Sequence, residues 1–260
     1  MEIVILPTAA EVGKVAASVI AEVVARKPEA VLGLATGSSP LAIYEELARQ
    51  ADAGELDFAR VRGFALDEYV GLDYGHPESY HAVIDRTVTR PLGLDPALVS
   101  VPDGFAADIA AACAEYEAAI DAAGGIDVQI LGIGGNGHIG FNEPTSSLAS
   151  RTRIKTLTPK TRADNARFFD SPDAVPTHCV TQGLGTILRA RRLVLVAQGE
   201  SKAEAIAAAV EGPLSASCPA SVLQLHEHAT VVIDEAAASR LHNGDYYRYT
   251  WANKPEWQKY

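Results

Sequence analysis

The chain has 260 residues, 48% hydrophobic and 21% charged, which is the composition of a folded globular protein and far from that of a disordered one. Its formal net charge of −11 excludes nucleic acid as a general partner, because neutralising phosphates requires a basic face. No apolar run approaches the roughly eighteen residues of a membrane span, and the opening Ile3-Val4-Ile5-Leu6 lacks the segments of a secretory leader, so a cytoplasmic location with no membrane partner is predicted.

Taken in chain order, short apolar runs alternate with alanine-rich helical stretches. Strands are predicted at Ile3 to Leu6, Ala30 to Ala35, Arg62 to Leu66, Val128 to Gly132, Leu193 to Ala197 and Thr230 to Ile233. Helices are predicted at Ala9 to Arg26, Pro40 to Ala53, Ala107 to Ala123 and Ser201 to Val210. This βαβ alternation predicts an α/β fold: an open, mostly parallel sheet with helices on both faces. No linker divides the chain, so one domain over residues 1–260 is expected, interrupted by a lid-like excursion at about 140–185 that carries Pro144, Pro159, Pro172 and Pro176. Six aromatics crowd the last fifteen residues (Tyr246, Tyr247, Tyr249, Trp251, Trp257 and Tyr260), a tail expected to dock on its own body or on a neighbouring subunit. Cys113, Cys179 and Cys218, odd in number and widely spaced, are expected to be buried thiols rather than a disulfide framework or a zinc site.

Charge is uneven along the chain. Arg151, Arg153, Lys155, Lys160, Arg162 and Arg167 stand against the single acid Asp164, so residues 151–167 carry +5 and the remainder −16. A cationic cluster in an acidic protein fits a small anionic ligand as well as a solvated surface.

In open parallel sheets ligands gather beyond the carboxyl ends of the strands, and four such places hold chemistry-bearing residues. Thr36-Gly37-Ser38-Ser39-Pro40 lies between strand and helix, where small residues and hydroxyls direct donors at an anion; an ordinary turn with a serine cap satisfies the same string. Asp67-Glu68-Tyr69 follows Phe64-Ala65-Leu66 and delivers a carboxylate that can act as a base, or simply cap a helix. Gly132, Gly134 and Gly137 match a dinucleotide fingerprint, but Gly140 and Pro144 interrupt the helix it requires, and the acidic ribose ligand is replaced by Arg151 to Lys155. No nicotinamide or flavin is therefore expected. The loop instead presents His138, whose imidazole suits proton transfer near neutrality, with Glu143 five residues on to orient it. Finally, Lys202 in Gln198-Gly199-Glu200-Ser201-Lys202 stands near a helix start, where a lysine is unfavourable unless an anion is bound. His226 and His228 are read as structural, on opposite sides of a strand.

Assembled, these strings resemble the glucosamine-6-phosphate deaminase (isomerase) family. The resemblance runs from Leu32-Gly33-Leu34-Ala35-Thr36-Gly37-Ser38-Ser39-Pro40 through Leu66-Asp67-Glu68-Tyr69-Val70-Gly71-Leu72 and His76-Pro77-Glu78-Ser79-Tyr80. It continues through Gly137-His138-Ile139-Gly140-Phe141-Asn142-Glu143-Pro144 and Ser150-Arg151-Thr152-Arg153, and thins after about residue 235. It implies a Rossmann-like α/β domain, no metal or organic cofactor, and a hydrolase that isomerises and deaminates glucosamine 6-phosphate to fructose 6-phosphate and ammonia. It assigns Asp67 as the base moving a proton from C2 to C1, and His138 with Glu143 as the ring-opening pair. Thr36, Gly37, Ser38, Ser39, Arg167 and Lys202 would hold the phosphate. Asn136 stands where some members carry aspartate; it hydrogen-bonds without supplying charge. Ser146, Arg153, Lys155 and Thr156 match an allosteric site for N-acetylglucosamine 6-phosphate, which implies an activated homo-oligomer, a hexamer. The competing readings are a 6-phosphogluconolactonase, which has no need of Asp67 in its setting, and a phosphosugar sensor, which needs neither Asp67 nor His138.

Overall fold

The computed structural model describes residues 1–258, so Tyr260 of the aromatic tail lies outside the described residues. Among the described residues ten strands follow one another: β1 (Glu2–Leu6), β2 (Val31–Leu34), β3 (Arg62–Ala65), β4 (Asp67–Tyr69), β5 (Val99–Ser100), β6 (Val128–Leu131), β7 (Arg153–Thr156), β8 (His178–Thr181), β9 (Arg192–Ala197) and β10 (Ala229–Asp234). The helices are α1 (Ala9–Arg26), α2 (Leu41–Asp52), α3 (Tyr80–Ile84), α4 (Arg90–Leu92), α5 (Ile109–Ala122), α6 (Pro159–Asn165), α7 (Leu184–Ile187), α8 (Ala203–Val210) and α9 (Gly244–Ala252). Seven strands form a parallel sheet in the order β1-β10-β9-β6-β2-β3-β5, with helices around it. Strands of such a sheet bury both faces, which is why β2 and most of β6, β9 and β10 are apolar in sequence and buried.

Helix starts follow local chemistry. The Thr8 hydroxyl accepts the Glu11 N–H at 3.2 Å and donates to the Glu11 carboxylate at 2.7 Å, a side-chain cap that opens α1. Asp108, Ser79 and Thr158 accept N–H groups of α5, α3 and α6 in the same way. α2 differs. Pro40 occupies its cap position and no side chain caps it, so the serine cap that the sequence allowed there is not formed.

The stretch 140–185, expected as a lid-like excursion, carries regular structure of its own. It contributes β7 and β8 to a second, antiparallel sheet of order β4-β8-β7, packed over a small apolar cluster of Tyr69, Phe141, Leu157, Val175 and Cys179. Asp67 likewise does not end a strand of the main sheet. β3 stops at Ala65, and after Leu66 the chain enters β4, so Asp67 is the first residue of the small sheet. His226 and His228 precede β10 rather than alternate along it; the His226 ring bonds the Ala190 carbonyl at 2.8 Å and accepts the His228 N–H.

The tail docks on its own body: α9 covers β1, with Tyr247 and Trp251 against the main core. Glu211 accepts the His242 and Asn243 N–H groups and the Tyr247 hydroxyl, and Lys254 pairs with Glu2 at 2.9 Å. Tyr246, Tyr249 and Trp257 remain exposed. Cys113 and Cys179 are buried thiols as expected, whereas Cys218 is only half-buried. Among the described residues no helix is long and apolar enough to cross a membrane.

Candidate active site

Four neighbouring strands at the middle of the parallel sheet, in the order β9-β6-β2-β3, are followed by the four motifs singled out above. They converge because all four strands run the same way, so their carboxyl ends open on one crevice. That crevice is a cavity of about 460 Å³, walled by Thr36 to Ser39, Asp67, Gly132 to Gly135, His138, Arg167 and Lys202, with Tyr69, Tyr80, Phe141 and Phe169 supplying aromatic surface. Asp67 and His138 therefore face one shared space.

Asp67 and Glu68 are adjacent carboxylates with different tasks. Alternation along β4 sends them to opposite faces. Glu68 is fully buried and accepts the N–H groups of Tyr69, Tyr80 and His81 at 2.7–2.9 Å, so it anchors the start of α3. The Asp67 carboxylate makes no hydrogen bond to another described residue and turns into the cavity; burial, reinforced by the charge of Glu68, holds its pKa well above the usual carboxylate range. A carboxylate so placed is a proton acceptor awaiting a substrate.

The His138 loop is shaped by its glycines. A side chain at Gly134 would collide with the imidazole, since a Cβ there would lie 2.2 Å from the ring, and the Gly134 N–H instead donates to the His138 carbonyl at 2.9 Å. His138 Nδ1 lies 3.5 Å from Glu143 Oε2, at the outer limit of a hydrogen bond. Asn136 holds both partners: Nδ2 donates to Glu143 Oε2 at 2.7 Å, and Oδ1 accepts the His138 N–H at 3.2 Å. The other oxygen of Glu143 accepts the Thr158 N–H and hydroxyl, both at 3.1 Å. Burial alone would raise the pKa of Glu143, but these donors outweigh it and bring it down to about 2, leaving a permanent carboxylate beside the imidazole.

The opposite wall suits an anion. Gly37, at φ +94°, turns the chain in a conformation that favours glycine, and the N–H groups of Gly37, Ser38 and Ser39 have no hydrogen-bond acceptor among the described residues. The turn is tied to the end of β9 by Gln198, which donates to the Ser39 carbonyl at 3.2 Å. Lys202 lies in the short turn ahead of α8 and donates to the Ile133 carbonyl at 2.7 Å. Burial lowers its pKa; Asp164 opposes the shift, while the like charges of Arg167 and Lys160 add to it. Arg167 is exposed and its guanidinium stacks on Phe168 at 4.7 Å. An anion between Lys202 and Arg167 would relieve this repulsion.

Ser146, Arg153, Lys155 and Thr156 are not among the residues that wall the cavity. Arg153 and Lys155 are half-buried on one face of β7, and Thr156 is exposed on the other; Ser146 is buried, and its hydroxyl has no partner among the described residues. The aromatic wall carried no sequence signal of its own, because Tyr69, Tyr80, Phe141 and Phe169 come from four separate segments. Asn142, whose amide bonds three residues, could have been noticed only as one position inside a motif.

The chain matches the model of the glucosamine-6-phosphate isomerase/6-phosphogluconolactonase family over residues 7–232. It is 62% identical over 258 residues to a glucosamine-6-phosphate deaminase of Pseudarthrobacter chlorophenolicus, covering 99% of each chain. It is 43% identical to a structurally characterised monomeric glucosamine-6-phosphate deaminase, with a TM-score of 0.90 over 92% of this chain and 100% of that one. A 6-phosphogluconolactonase from Trypanosoma cruzi shares the fold at 19% identity, with a TM-score of 0.73 over 93% of this chain and 97% of that one. With a full-length match at this identity and a cavity that unites Asp67, His138 and the Thr36–Ser39 turn, the chain belongs to the glucosamine-6-phosphate deaminase (isomerase) family.

Proposed function

We propose that this chain converts glucosamine 6-phosphate and water into fructose 6-phosphate and ammonia. The observation that carries the reading is the unpartnered Asp67 carboxylate facing the same cavity as the His138–Glu143 pair, with an anion-binding wall beside them. The phosphate lies on the N–H groups of Gly37 to Ser39, between Lys202 and Arg167. His138, kept beside the Glu143 carboxylate, takes the proton of the C1 hydroxyl and delivers it to the ring oxygen as the pyranose opens. Asp67 then takes the C2 proton and returns it to C1, and the resulting imine at C2 adds water and releases ammonia. The raised pKa of Asp67 matches a group that must both accept and return a proton. Residues 161–169 act as a lid: Thr161, Asp164, Asn165, Arg167, Phe168 and Phe169 all face the cavity, and Asn165 donates to the Tyr69 hydroxyl on β4 at 3.0 Å. Within the single domain this would exclude water while the imine forms.

The finer reading is regulatory. N-acetylglucosamine 6-phosphate binds at Ser146, Arg153, Lys155 and Thr156 and activates a cytoplasmic hexamer, a reading supported by the basic pair on one face of β7 and the unpartnered, buried Ser146 hydroxyl. Ammonia release from glucosamine 6-phosphate, followed with and without N-acetylglucosamine 6-phosphate, tests both parts. Lactone hydrolysis without ammonia release would overturn the first. A solution mass equal to the 27.5 kDa chain, with velocity indifferent to the second sugar, would overturn the second.

A further inference from the structure

Arg153 lies outside the cavity, yet its guanidinium is bonded into the loop that carries His138 and Glu143. Its Nη1 donates to Asn142 Oδ1 at 2.9 Å and to the Arg151 carbonyl at 3.3 Å. Asn142 is fully buried, and its Nδ2 donates to the carbonyls of Ile139, at 3.0 Å, and Gln182, at 2.8 Å. Ile139 follows His138, and Glu143 follows Asn142, so this one amide clamps the chain between the imidazole and its carboxylate. The arginine also settles which way the amide points. Turned over, Asn142 would set its NH2 group against a guanidinium that can only donate, and its oxygen against two carbonyls that can only accept.

The same guanidinium belongs to the row that holds Asp67. Arg153 stands opposite Thr181 on β8, and Thr181 stands opposite Asp67 on β4. Residues directly opposed on neighbouring strands share a face of the sheet, so the three form one line across it. Thr181 Oγ1 accepts the Phe141 N–H at 3.1 Å, which joins this line to the His138 loop a second time.

We propose that Arg153 is a positioning residue for the reaction itself: through Asn142 it fixes the loop that sets His138 against Glu143, with or without an effector. The proposal rests on the deaminase reading and gives Arg153 a task beyond the effector phosphate. The test compares the full chain with Arg153→Met, Arg153→Lys, Asn142→Ala and the double variant Arg153→Met/Asn142→Ala. Ammonia release is measured with no effector added, and hydrogen exchange is followed over residues 138–146. Arg153→Met is expected to lose about tenfold in kcat with KM within about twofold, as for a misplaced but intact catalytic pair. Asn142→Ala should lose a similar factor, and the double variant no more than either alone. Lysine at 153 can still donate to Oδ1 and should recover most of the loss. Loop exchange should accelerate in Arg153→Met and Asn142→Ala.

An unchanged kcat in Arg153→Met, a rise confined to KM, or losses that multiply in the double variant would overturn the proposal. If Arg153→Met does not fold, Arg153→Lys falling as far as Asn142→Ala would overturn it, and retention of most activity would support it. A wild-type protein that releases no ammonia would defeat the deaminase reading alone; the exchange rates would then decide the role of Arg153, with unaltered loop protection counting against it.

Discussion

The seven-stranded sheet buries Val128, Ile130 and Leu131 on β6 and Leu193 to Ala197 on β9, whereas the three-stranded sheet buries Asp67, Glu68 and Thr181, with Gln182 and Asn142 beside them. The first sheet is largely apolar on both faces, the exceptions in its middle strands being the buried Gln129 of β6 and Arg192 at the start of β9. The second is a lattice of donors and acceptors in which a carboxylate without a partner is tolerated. Stability and chemistry are thus housed separately. The apolar sheet supplies rigid strand ends, and the polar sheet carries the energetic cost of burying the base.

The sharpest way to break this comparison is Asp67→Asn, which removes the charge and keeps the shape. Deamination should fall by about 10³-fold or more, the upper part of the range for general acid–base residues. Stability should move the other way. A carboxyl whose pKa is raised on folding binds its proton more tightly in the folded state, so it withdraws stability as pH rises from its ordinary value, about 3.9, to the raised one. Asp67→Asn should therefore melt higher than wild type at neutral pH; a lower melting temperature would show that the carboxylate stabilises the fold.

Glu143→Gln should lower kcat by about 10²-fold, because a neutral amide no longer favours the imidazolium that forms as His138 accepts a proton. The pH dependence has the opposite sign from that of Asp67. With its pKa lowered to about 2 in the folded protein, Glu143 contributes stability above its ordinary value of about 4.3. That contribution is lost as pH falls from there towards about 2. Acid titration of the glutamine variant should show a shallower loss over that window, and a curve superimposable on wild type would refute the assignment.

On the other side of the comparison, Leu195→Ala in the buried apolar run of β9 should cost about 3 kcal/mol of unfolding free energy while leaving kcat and KM nearly unchanged at temperatures where the protein stays folded. A large change in kcat would mean that the two sheets are not energetically separate. The smallest effect is expected of Asn136→Asp. Its amide now donates to Glu143 Oε2 at 2.7 Å, and a second carboxylate there would repel Glu143 and raise its pKa. The acid limb of the turnover profile should move up by about half a unit or more with activity retained; complete loss of activity would contradict this.

Legibility in the sequence divides along the same line. Continuous runs such as Leu193 to Ala197 declare buried parallel strands, because a strand covered on both faces needs no polar alternation. The glycine loop with His138 was readable because a backbone brought so close to a ring excludes side chains. β4, β7 and β8 were not readable: three or four residues each, two of them inside a proline-rich basic segment, they have no periodicity that separates them from loop. β4 reaches its partner β8 only across more than a hundred positions, as with Asp67 and Thr181, and β7 meets β8 across the intervening helical segment. Length and period therefore determined the α/β architecture, the crevice at the strand ends, and the candidates Asp67, His138, Glu143 and Lys202. Only the tertiary structure decided that Asp67 opens a second sheet, that Glu68 caps a helix while its neighbour turns to the cavity, and that Arg153 reaches the His138 loop through Asn142. Those choices depend on which groups are left unsatisfied once the chain has closed on itself, and that is a property of the packed molecule rather than of any local segment.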